Sequence, residues 1–289
     1  MIDDELMAAV EQAVLKTVED QVMPRWRQLA EHEVETKTGS HDLVTVADQR
    51  AEQQLSGALR RLLPGSAVVG EETVHAHPAT YAALEGPDPV WIIDPIDGTR
   101  QFVAGDEGFC TMVALAHDGE TLAGWIVAPA LRMTATARRG AGAFLNGMPL
   151  RAGSPEAGAP LRVAVSHPDY TDEFQERALR SLRTDGVDVR PTGSAGLEYV
   201  AIAHGRLDAV AYTWESAWDH AAGLLTVAEA GGASSTVADA PFRLAGGNAL
   251  PFTAARDPET TRRMVGLLRD ESDDPPHTDS DDSHRGRPA

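Results

Sequence analysis

The chain has 289 residues, of which 42% are hydrophobic, and a formal net charge of -19. The acidic balance argues against binding to nucleic acid or anionic membranes, because both are held by clustered Lys and Arg side chains. The single cysteine, Cys110, excludes an intramolecular disulfide and favours a reducing, cytoplasmic location. The opening residues, MIDDELM, lack the basic region of a signal peptide, and no apolar run approaches the about 20 residues of a membrane span.

The first half of the chain mixes helical and strand patterns. Apolar residues over 3–30 recur at helical spacing until Pro24, which should end or kink that helix. Thr45 and Asp48 form a capping-box pattern that predicts a second helix, ending before Pro64-Gly65. Strand patterns, with Asp118-Gly119 as a hairpin turn, follow at 67–69, 90–93, 111–116, 123–127 and 134–137.

The Gly- and Pro-rich segment 152–160 predicts a boundary between an N-terminal α+β domain, 1–152, and a C-terminal α/β domain, 153–270. Beyond it, strands and helices alternate as in α/β proteins. The predicted strands are 161–166, 187–190, 208–212, 234–237 and 250–254, and the predicted helices are 171–182, 195–204, 219–230 and 258–268. The stretch 271–289 has six acidic and almost no apolar residues, so we expect it to be disordered.

The sequence WIIDPIDGTRQFVAG, starting at residue 91, carries the strongest signal of chemistry. Its apolar run predicts a buried strand that ends at Asp94, because the next residue is a proline without an amide donor. Asp97 adds a second carboxylate three residues later. A short helix starting at Gly98 and Thr99 would leave its first amides free to bind a phosphate. Carboxylate oxygens beside such a phosphate site are ligands that Mg2+ prefers.

Other segments supply further carboxylates. Glu71 and Glu72 follow a short apolar strand, and Asp219 lies in the first turn of a predicted helix. Taken singly, each has a simpler interpretation, since an Asp near a helix start is usually a cap and a Glu pair after a strand is usually solvated. Asp48 is open to both interpretations, because it can cap its helix and also act in a site.

Together, these segments resemble the inositol monophosphatase family. The matching motifs are GEE at 70–72, WxxDPxDGTxxFxxG at 91–105, WDxxAGxxxxxxAGG at 218–232 and DLVTxxD at 42–48. They occur in order across nearly the whole chain. The resemblance implies a layered α/β/α/β/α sandwich, commonly a homodimer. It also implies a Mg2+-dependent phosphatase for a small-molecule phosphate substrate.

The resemblance assigns a set of metal ligands. It implies that two or three Mg2+ ions are held by four carboxylates and one main-chain oxygen, those of Glu71, Asp94, Asp97, Asp219 and Ile96. Asp94 would bridge two metals, while Glu71 and the Ile96 carbonyl would complete one site. Asp97 and Asp219 would complete the other. Four such carboxylates repel one another strongly unless cations neutralise them.

The resemblance also implies catalytic and substrate-binding roles. Asp48, Thr99 and Glu71 are the expected catalytic residues, with Thr99 and Asp48 orienting and deprotonating the attacking water. The phosphate would bind the amides of Gly98 and Thr99, with Lys37 nearby. Where relatives carry an acidic residue for the sugar hydroxyls, this chain has Tyr212, with Glu215 three residues later. The loop Gly193-Ser194-Ala195 resembles the small-residue loop that covers the ring in the family.

Inositol monophosphate is the first expectation for the substrate, but rivals share the scaffold. These are histidinol phosphate, fructose 1,6-bisphosphate and 3'-phosphoadenosine 5'-phosphate. An adenosine bisphosphate would require cationic side chains near the pocket, and the candidate pocket segments 193–198 and 211–218 contain none. Haloacid-dehalogenase phosphatases also use an aspartate at a strand end, but their two aspartates are spaced by two residues and not by three. A metal-binding relative without catalysis is a further alternative, although all the expected carboxylates and Thr99 are present.

Overall fold

The computed structural model describes residues 2–37 and 43–269. The tail that we expect to be disordered, 271–289, and the first residue of the DLVTxxD motif lie outside the described residues. Within this range the helices are α1 (Asp4–Thr17, continued by a π-helical turn, Val18–Val22), α2 (Val46–Leu62), α3 (Glu71–Ala76), α4 (Thr99–Ala104), α5 (Glu173–Ala178), α6 (Ala195–Ala203), α7 (Ala217–Glu229) and α8 (Pro258–Arg269).

The strands form two large sheets and one small ribbon. The ribbon pairs β1 (Val34–Thr36) with β2 (Leu43–Thr45). The first sheet has the order β3-β4-β5-β6-β7-β8-β9, with β3 and β4 parallel and the other pairs antiparallel. Its strands are β3 (Ala67–Gly70), β4 (Val90–Asp97), β5 (Cys110–His117), β6 (Glu120–Ala128), β7 (Met133–Arg138), β8 (Gly142–Leu145) and β9 (Met148–Pro149).

The second sheet has five strands in the order β11-β10-β12-β14-β13. Its strands are β10 (Leu161–Val165), β11 (Val187–Pro191), β12 (Ala209–Tyr212), β13 (Ala233–Thr236) and β14 (Phe252–Ala255). β10 pairs in parallel with β11 and β12, whereas β14 is antiparallel to both of its neighbours. The crossovers between the parallel strands carry helices, as parallel pairing requires.

Strand alternation distributes the first sheet between two cores. Trp91 and Ile93 of β4 face α1 and α2, where they pack with residues such as Val14 and Leu55. Ile92, between them, faces the opposite side and packs with the core that α6 and α7 contribute to. Because successive side chains of a strand point to opposite faces, a continuous apolar run marks a strand buried on both sides.

The α6 and α7 helices form the middle layer. They pack against the first sheet on one side and against β12 and β14 of the second sheet on the other. The outer face of the second sheet is covered by α8 and by Leu179 and Leu182, which follow α5. The α7 helix approaches β6 closely at Gly124, where a Cβ would lie 3.0 Å from the Ala222 Cα. The five layers confirm the predicted α/β/α/β/α sandwich. The division into domains at residue 152 stays a prediction, because the middle layer is shared by both sheets.

Several sequence-based boundaries need correction. The strand expected to end at Asp94 continues through the proline to Asp97, with a register shift against β5 between those two residues. A proline is tolerated in a strand at such an irregularity, because no ladder hydrogen bond is required of it there. The helix predicted over 171–182 is only α5 followed by a 3-10 turn, Arg180–Leu182. α3, β8 and β9 were not predicted.

The capping box and the hairpin are confirmed. Thr45 caps α2 through the Ala47 amide, and Asp48 accepts a hydrogen bond from the Thr45 amide at 2.8 Å. Asp118 and Gly119 both have positive φ, as the two-residue turn between β5 and β6 requires. No helix within residues 2–37 and 43–269 combines the length and the apolar character needed to cross a bilayer.

Gly223 of α7 supplies a test of this packing. A Cβ at Gly223 would overlap the Tyr199 ring, so Gly223→Ala should lower the free energy of unfolding by about 2 kcal/mol or more through overpacking. Urea denaturation monitored by circular dichroism measures the change. Gly266→Ala on α8 is the matched control: no atom lies near its Cβ, and the change should stabilise the helix by up to about 1 kcal/mol. Equal stability changes for the two variants would contradict the packing described.

Candidate active site

A cleft of about 510 Å³ opens where the end of β4 meets the N-terminal ends of α4, α6 and α7. Its floor is acidic, and its walls come from segments far apart in sequence. The described residues that line it include Lys37, Glu71, Asp94, Ile96, Asp97, Gly98, Thr99, Arg100, Gln101, His167, Tyr170, Gly193, Ala195, Trp214, Trp218 and Asp219. The structure therefore brings together most of the residues that the motifs single out.

The end of β4 delivers two carboxylates to the floor. Asp94 and Asp97 are 2% and 7% exposed. The irregular pairing between them is held by Thr111 of β5, whose hydroxyl donates to the carbonyl oxygen of Pro95 at 2.8 Å. The one extra residue between the two aspartates lets both side chains reach the same cleft, where a regular strand would place residues three apart on opposite faces.

Asp219, from the first turn of α7, completes a cluster of three carboxylates. One oxygen from each of Asp94, Asp97 and Asp219 lies within 4.8 Å of the others. Burial raises the pKa of Asp94 well above its usual range, and the charges of Glu71, Asp97 and Asp219 add to that rise. Buried carboxylates this close destabilise one another when ionised, so the cluster favours a cation.

The donor set fits a hard divalent cation. Asp94 Oδ1 is buried and has no hydrogen-bond partner among the described residues, although buried polar oxygens are rarely left unpaired. The nearby main-chain oxygen of Ile96 accepts a hydrogen bond from the Thr99 hydroxyl at 3.0 Å. Carboxylate and carbonyl oxygens are the ligands that Mg2+ prefers. The residues present could therefore hold such an ion.

Asp97 is held by the start of α6. Its carboxylate accepts hydrogen bonds from the Ser194 hydroxyl, the Ala195 amide (3.1 Å) and the Gly196 amide (2.7 Å). Gly196 is required at this position, because a Cβ there would lie 2.6 Å from the Cys110 sulfur. The small-residue loop 193–195 therefore contributes to the cleft wall and also holds Asp97, because Ser194 and Ala195 donate hydrogen bonds to the Asp97 carboxylate.

Glu71 and Lys37 form the opposite wall of the cleft. Lys37 Nζ lies 2.7 Å from one carboxylate oxygen of Glu71 and 2.7 Å from one of Glu72. The Lys37 side chain is 4% exposed. Burial by itself would lower the pKa of Lys37, but the charges of Glu71 and Glu72 raise it. Burial raises the pKa of Glu72 to about 8, together with the charge of Glu71. Lys37 is therefore a fixed cation beside Glu71.

Glu52 supports this wall and was not predicted. Its buried carboxylate accepts hydrogen bonds from the amides of Glu72 (2.7 Å) and Thr73 (2.8 Å), so it caps the start of α3. A Cβ at Gly70 would overlap the Glu52 carboxylate, which explains the glycine before the two glutamates. The available sequence signal was its position four residues after Asp48, on the same face of α2.

Asp48 and Thr99 lie on different elements and do not bond to each other. Asp48 Oδ2 accepts from the amide (2.8 Å) and the hydroxyl (2.6 Å) of Thr45, while Oδ1 is buried without a partner in the described part of the chain. Burial raises the pKa of Asp48 to about 7, although its bonds with Thr45 oppose the rise. Thr99 starts α4 behind Gly98, which has φ 88° and whose Cβ would lie 2.9 Å from the Gly108 carbonyl oxygen.

The structure does not bring Tyr212 and Glu215 into the cleft. Tyr212 is fully buried in an aromatic cluster. Glu215 accepts hydrogen bonds from the amides of Gly247 (3.2 Å) and Asn248 (2.8 Å), so it anchors a loop. The cleft is also lined by Arg100, His167, Tyr170 and Trp214, which the sequence did not assign to substrate binding.

Gln101 ties the phosphate side of the cleft to the α6 loop. Its side-chain amide lies between the carbonyl oxygens of Gly98 and Gly193. With the amide nitrogen facing these two oxygens, the nitrogen lies 3.2 Å from each of them. A Cβ at Gly193 would lie 2.9 Å from this amide. Gly193 therefore permits the close approach of α4 and the loop before α6.

Comparisons with known proteins agree with this geometry. Residues 3–269 match the model of the inositol monophosphatase family. A fructose-1,6-bisphosphatase/inositol-1-monophosphatase of Thermotoga maritima is 36% identical over 224 residues, which cover 76% of this chain and 80% of that protein. Nus factor SuhB of Pseudomonas aeruginosa is 37% identical over 199 residues, or 66% of this chain and 71% of that protein.

Solved structures show the same fold. An IMPase of Thermotoga maritima superposes with a TM-score of 0.74 at 30% identity, covering 93% of this chain and 98% of that one. The suhB protein of Bartonella henselae gives a TM-score of 0.76 at 25% identity, with 92% and 99% covered. Fold and relatives define the class of protein: it is a phosphatase, a phosphoric monoester hydrolase. The chain belongs to the inositol monophosphatase family, as its motifs predicted.

The buried carboxylates predict how stability depends on pH. Asp48 has a folded-state pKa of about 7 in place of 3.8, so the metal-free native state binds more protons than the unfolded state between those values. Stability contributed by this group is complete below about pH 4 and is lost as pH rises through about 7. Thermal unfolding of EDTA-treated protein should show a falling Tm across that range relative to Asp48→Asn. A steeper fall in Asp48→Asn than in the parent protein would contradict this.

Proposed function

We propose that the protein is a Mg2+-dependent phosphomonoesterase that hydrolyses an inositol monophosphate by attack of water. The observation that carries this proposal is the cluster of Asp94, Asp97 and Asp219, with one oxygen of each within 4.8 Å of the others, at the floor of the cleft. Membership of the inositol monophosphatase family supports the reaction class. The relatives named for inositol 1-phosphate support the substrate.

The proposed magnesium ligands divide between the two walls of the cleft. Glu71, Asp94 and the Ile96 carbonyl oxygen would hold one ion, and Asp94, Asp97 and Asp219 would hold another. The same donors would also accommodate a third ion. Bound Mg2+ would lower the pKa of the attacking water and neutralise charge on the phosphoryl oxygens. The hydrogen bonds that Asp97 accepts from α6 leave its carboxylate fixed in direction.

The remaining roles belong to groups around the phosphate. The amides of Gly98 and Thr99, at the start of α4, hold the phosphate oxygens, and Lys37 adds positive charge on the facing wall. Thr99 and Asp48 orient the attacking water, and the Asp48 carboxylate accepts its proton, with Glu71 assisting. The buried Oδ1 of Asp48, which has no hydrogen-bond partner in the described part of the chain, supports this role.

The setting of the enzyme is also a proposal. We place it in the cytoplasm, which the single cysteine supports, and as a homodimer, which the family resemblance supports. The net charge of -19 counts against nucleic acid and anionic membranes as partners, and family membership supports a small-molecule phosphate as the substrate. Some relatives are named Nus factor SuhB, and that name describes those proteins and not this chain.

Substitution of the shared ligand tests the catalytic proposal. Asp94→Asn should lower kcat/KM for myo-inositol 1-phosphate at least about 100-fold, because an amide cannot bridge two cations as a carboxylate does. Phosphate release with and without Mg2+ measures the effect. The matched control is Asp118→Asn, at an exposed hairpin turn, which should retain activity. Turnover of Asp94→Asn within a few-fold of the parent enzyme, or a covalent aspartyl-phosphate during turnover, would refute the proposed mechanism.

Arg100 favours a second candidate, a fructose-1,6-bisphosphatase. Lys37 and Arg100 are the Lys and Arg side chains among the described residues that line the cleft. The Arg100 guanidinium lies 2.9 Å from Asp169, 3.3 Å from His167 Nε2 and 4.9 Å over the Tyr170 ring. A guanidinium held in this way, on the residue after Thr99, suits a second phosphate on the leaving group. The Thermotoga maritima relative carries both names, fructose-1,6-bisphosphatase and inositol-1-monophosphatase.

The two candidates differ in how they depend on Arg100. If the second phosphate binds there, Arg100→Gln should reduce kcat/KM for fructose 1,6-bisphosphate about tenfold more than for myo-inositol 1-phosphate. Phosphate release on both substrates, with histidinol phosphate and 3'-phosphoadenosine 5'-phosphate completing the panel, measures this ratio. Equal losses on the two substrates would remove the support that Arg100 gives to the bisphosphatase.

A further inference from the structure

His220, directly after Asp219, is a fully buried polar residue without a role in the chemistry described above. Its imidazole is surrounded by aromatic rings, stacking on Tyr212 with ring centroids 5.8 Å apart and meeting Phe252 edge-on at 4.9 Å. Among the described residues no carboxylate is paired with the ring, and its two nitrogens contact a hydroxyl and a carbonyl group. A neutral imidazole has one donor nitrogen and one acceptor nitrogen.

The hydrogen bonds of His220 fix which nitrogen carries the proton. Nε2 lies 3.1 Å from the carbonyl oxygen of Trp214, and a carbonyl oxygen can only accept. Nε2 is therefore the donor, which makes Nδ1 the acceptor. The Tyr199 hydroxyl, 2.9 Å from Nδ1, must then donate to it. A directed chain of hydrogen bonds thus runs from Tyr199 through His220 to the main chain of Trp214.

Trp214 extends this series of hydrogen bonds from His220 to the cleft. Its indole nitrogen donates to Asp219 Oδ2 at 3.0 Å, and both residues line the cleft. An indole N–H can only donate, so this contact selects the orientation of the Asp219 carboxylate and leaves the other oxygen for a ligand. The Trp214 ring is itself stacked on Tyr212, with centroids 4.2 Å apart. Both the main chain and the ring of Trp214 are therefore held from the buried side.

We propose that Tyr199, His220 and Trp214 form a positioning network that orients Asp219 for the divalent cation. This inference rests on the proposed function, in which Asp219 is a metal ligand. Gly223 belongs to the same arrangement, because a Cβ there would overlap the Tyr199 ring that reaches His220. These are positioning residues, since none of the three needs to touch substrate or metal to act. Outer hydrogen-bond partners of metal ligands typically change metal affinity by about 10- to 100-fold.

Metal binding without substrate tests the network. The measurement is Mn2+ affinity from the free-ion signal in electron paramagnetic resonance, with Mn2+ in place of Mg2+. His220→Leu removes the donor to Trp214, and Trp214→Phe removes the indole donor to Asp219 while keeping an aromatic ring; each should weaken Mn2+ binding about tenfold. His220→Gln should recover most of the affinity, because its amide nitrogen can donate to the Trp214 carbonyl. Trp26→Phe is the control for loss of an indole donor, because its nitrogen donates to the Asp106 carbonyl oxygen and the residue does not line the cleft.

The outcomes separate this inference from the proposed function. If Asp219→Asn binds Mn2+ as the parent does, the ligand assignment fails and the network has no purpose. If Asp219→Asn weakens binding while folded His220→Leu and Trp214→Phe do not, the network alone is refuted. A loss in Trp26→Phe equal to that in Trp214→Phe also refutes it. Circular dichroism establishes folding, and Trp214→Phe decides the question if His220→Leu does not fold.

Discussion

Repulsion among buried carboxylates is the constraint on which the site depends. Asp94, Asp97 and Asp219 are brought within a few ångströms of one another although burial alone disfavours their ionisation. Three of the acidic side chains each have their own support: α6 holds Asp97, Trp214 holds Asp219, and Lys37 pairs with Glu71. The scaffold therefore fixes the directions of the acids and leaves their charge to be compensated by a cation.

The local parts of this arrangement could be predicted from the sequence. The capping box at Thr45 and Asp48, the hairpin turn at Asp118 and the short helix after Gly98 all depend on contacts within a few residues. The end of β4 could not be predicted correctly. The strand continues past its proline because Thr111, on another strand, binds the carbonyl that the irregular pairing exposes.

The part of the cleft lined by Arg100, His167 and Trp214 could not be predicted from the sequence. Arg100 meets His167 across 67 residues, and no spacing within the chain indicates such a contact. Tyr212 occupies a motif position that suggested the pocket, yet alternation along β12 buries it in the core between the second sheet and the middle layer. Motifs predicted the carboxylate cluster, whereas Arg100, His167 and Trp214 come from separate elements whose meeting is set by the fold.

Gly124 affects the spacing of the carboxylate cluster, and with it the cations that the proposed site would hold. It lets α7 lie against β6 with no side chain between them, three residues along the helix from Asp219. The other carboxylates belong to β4, in the same sheet as β6. The thickness of this contact therefore contributes to the distance between Asp219 and Asp94. A larger residue at 124 would not line the cleft, yet it would increase the distance between Asp219 and Asp94. A longer distance would favour cations of larger radius at the proposed site.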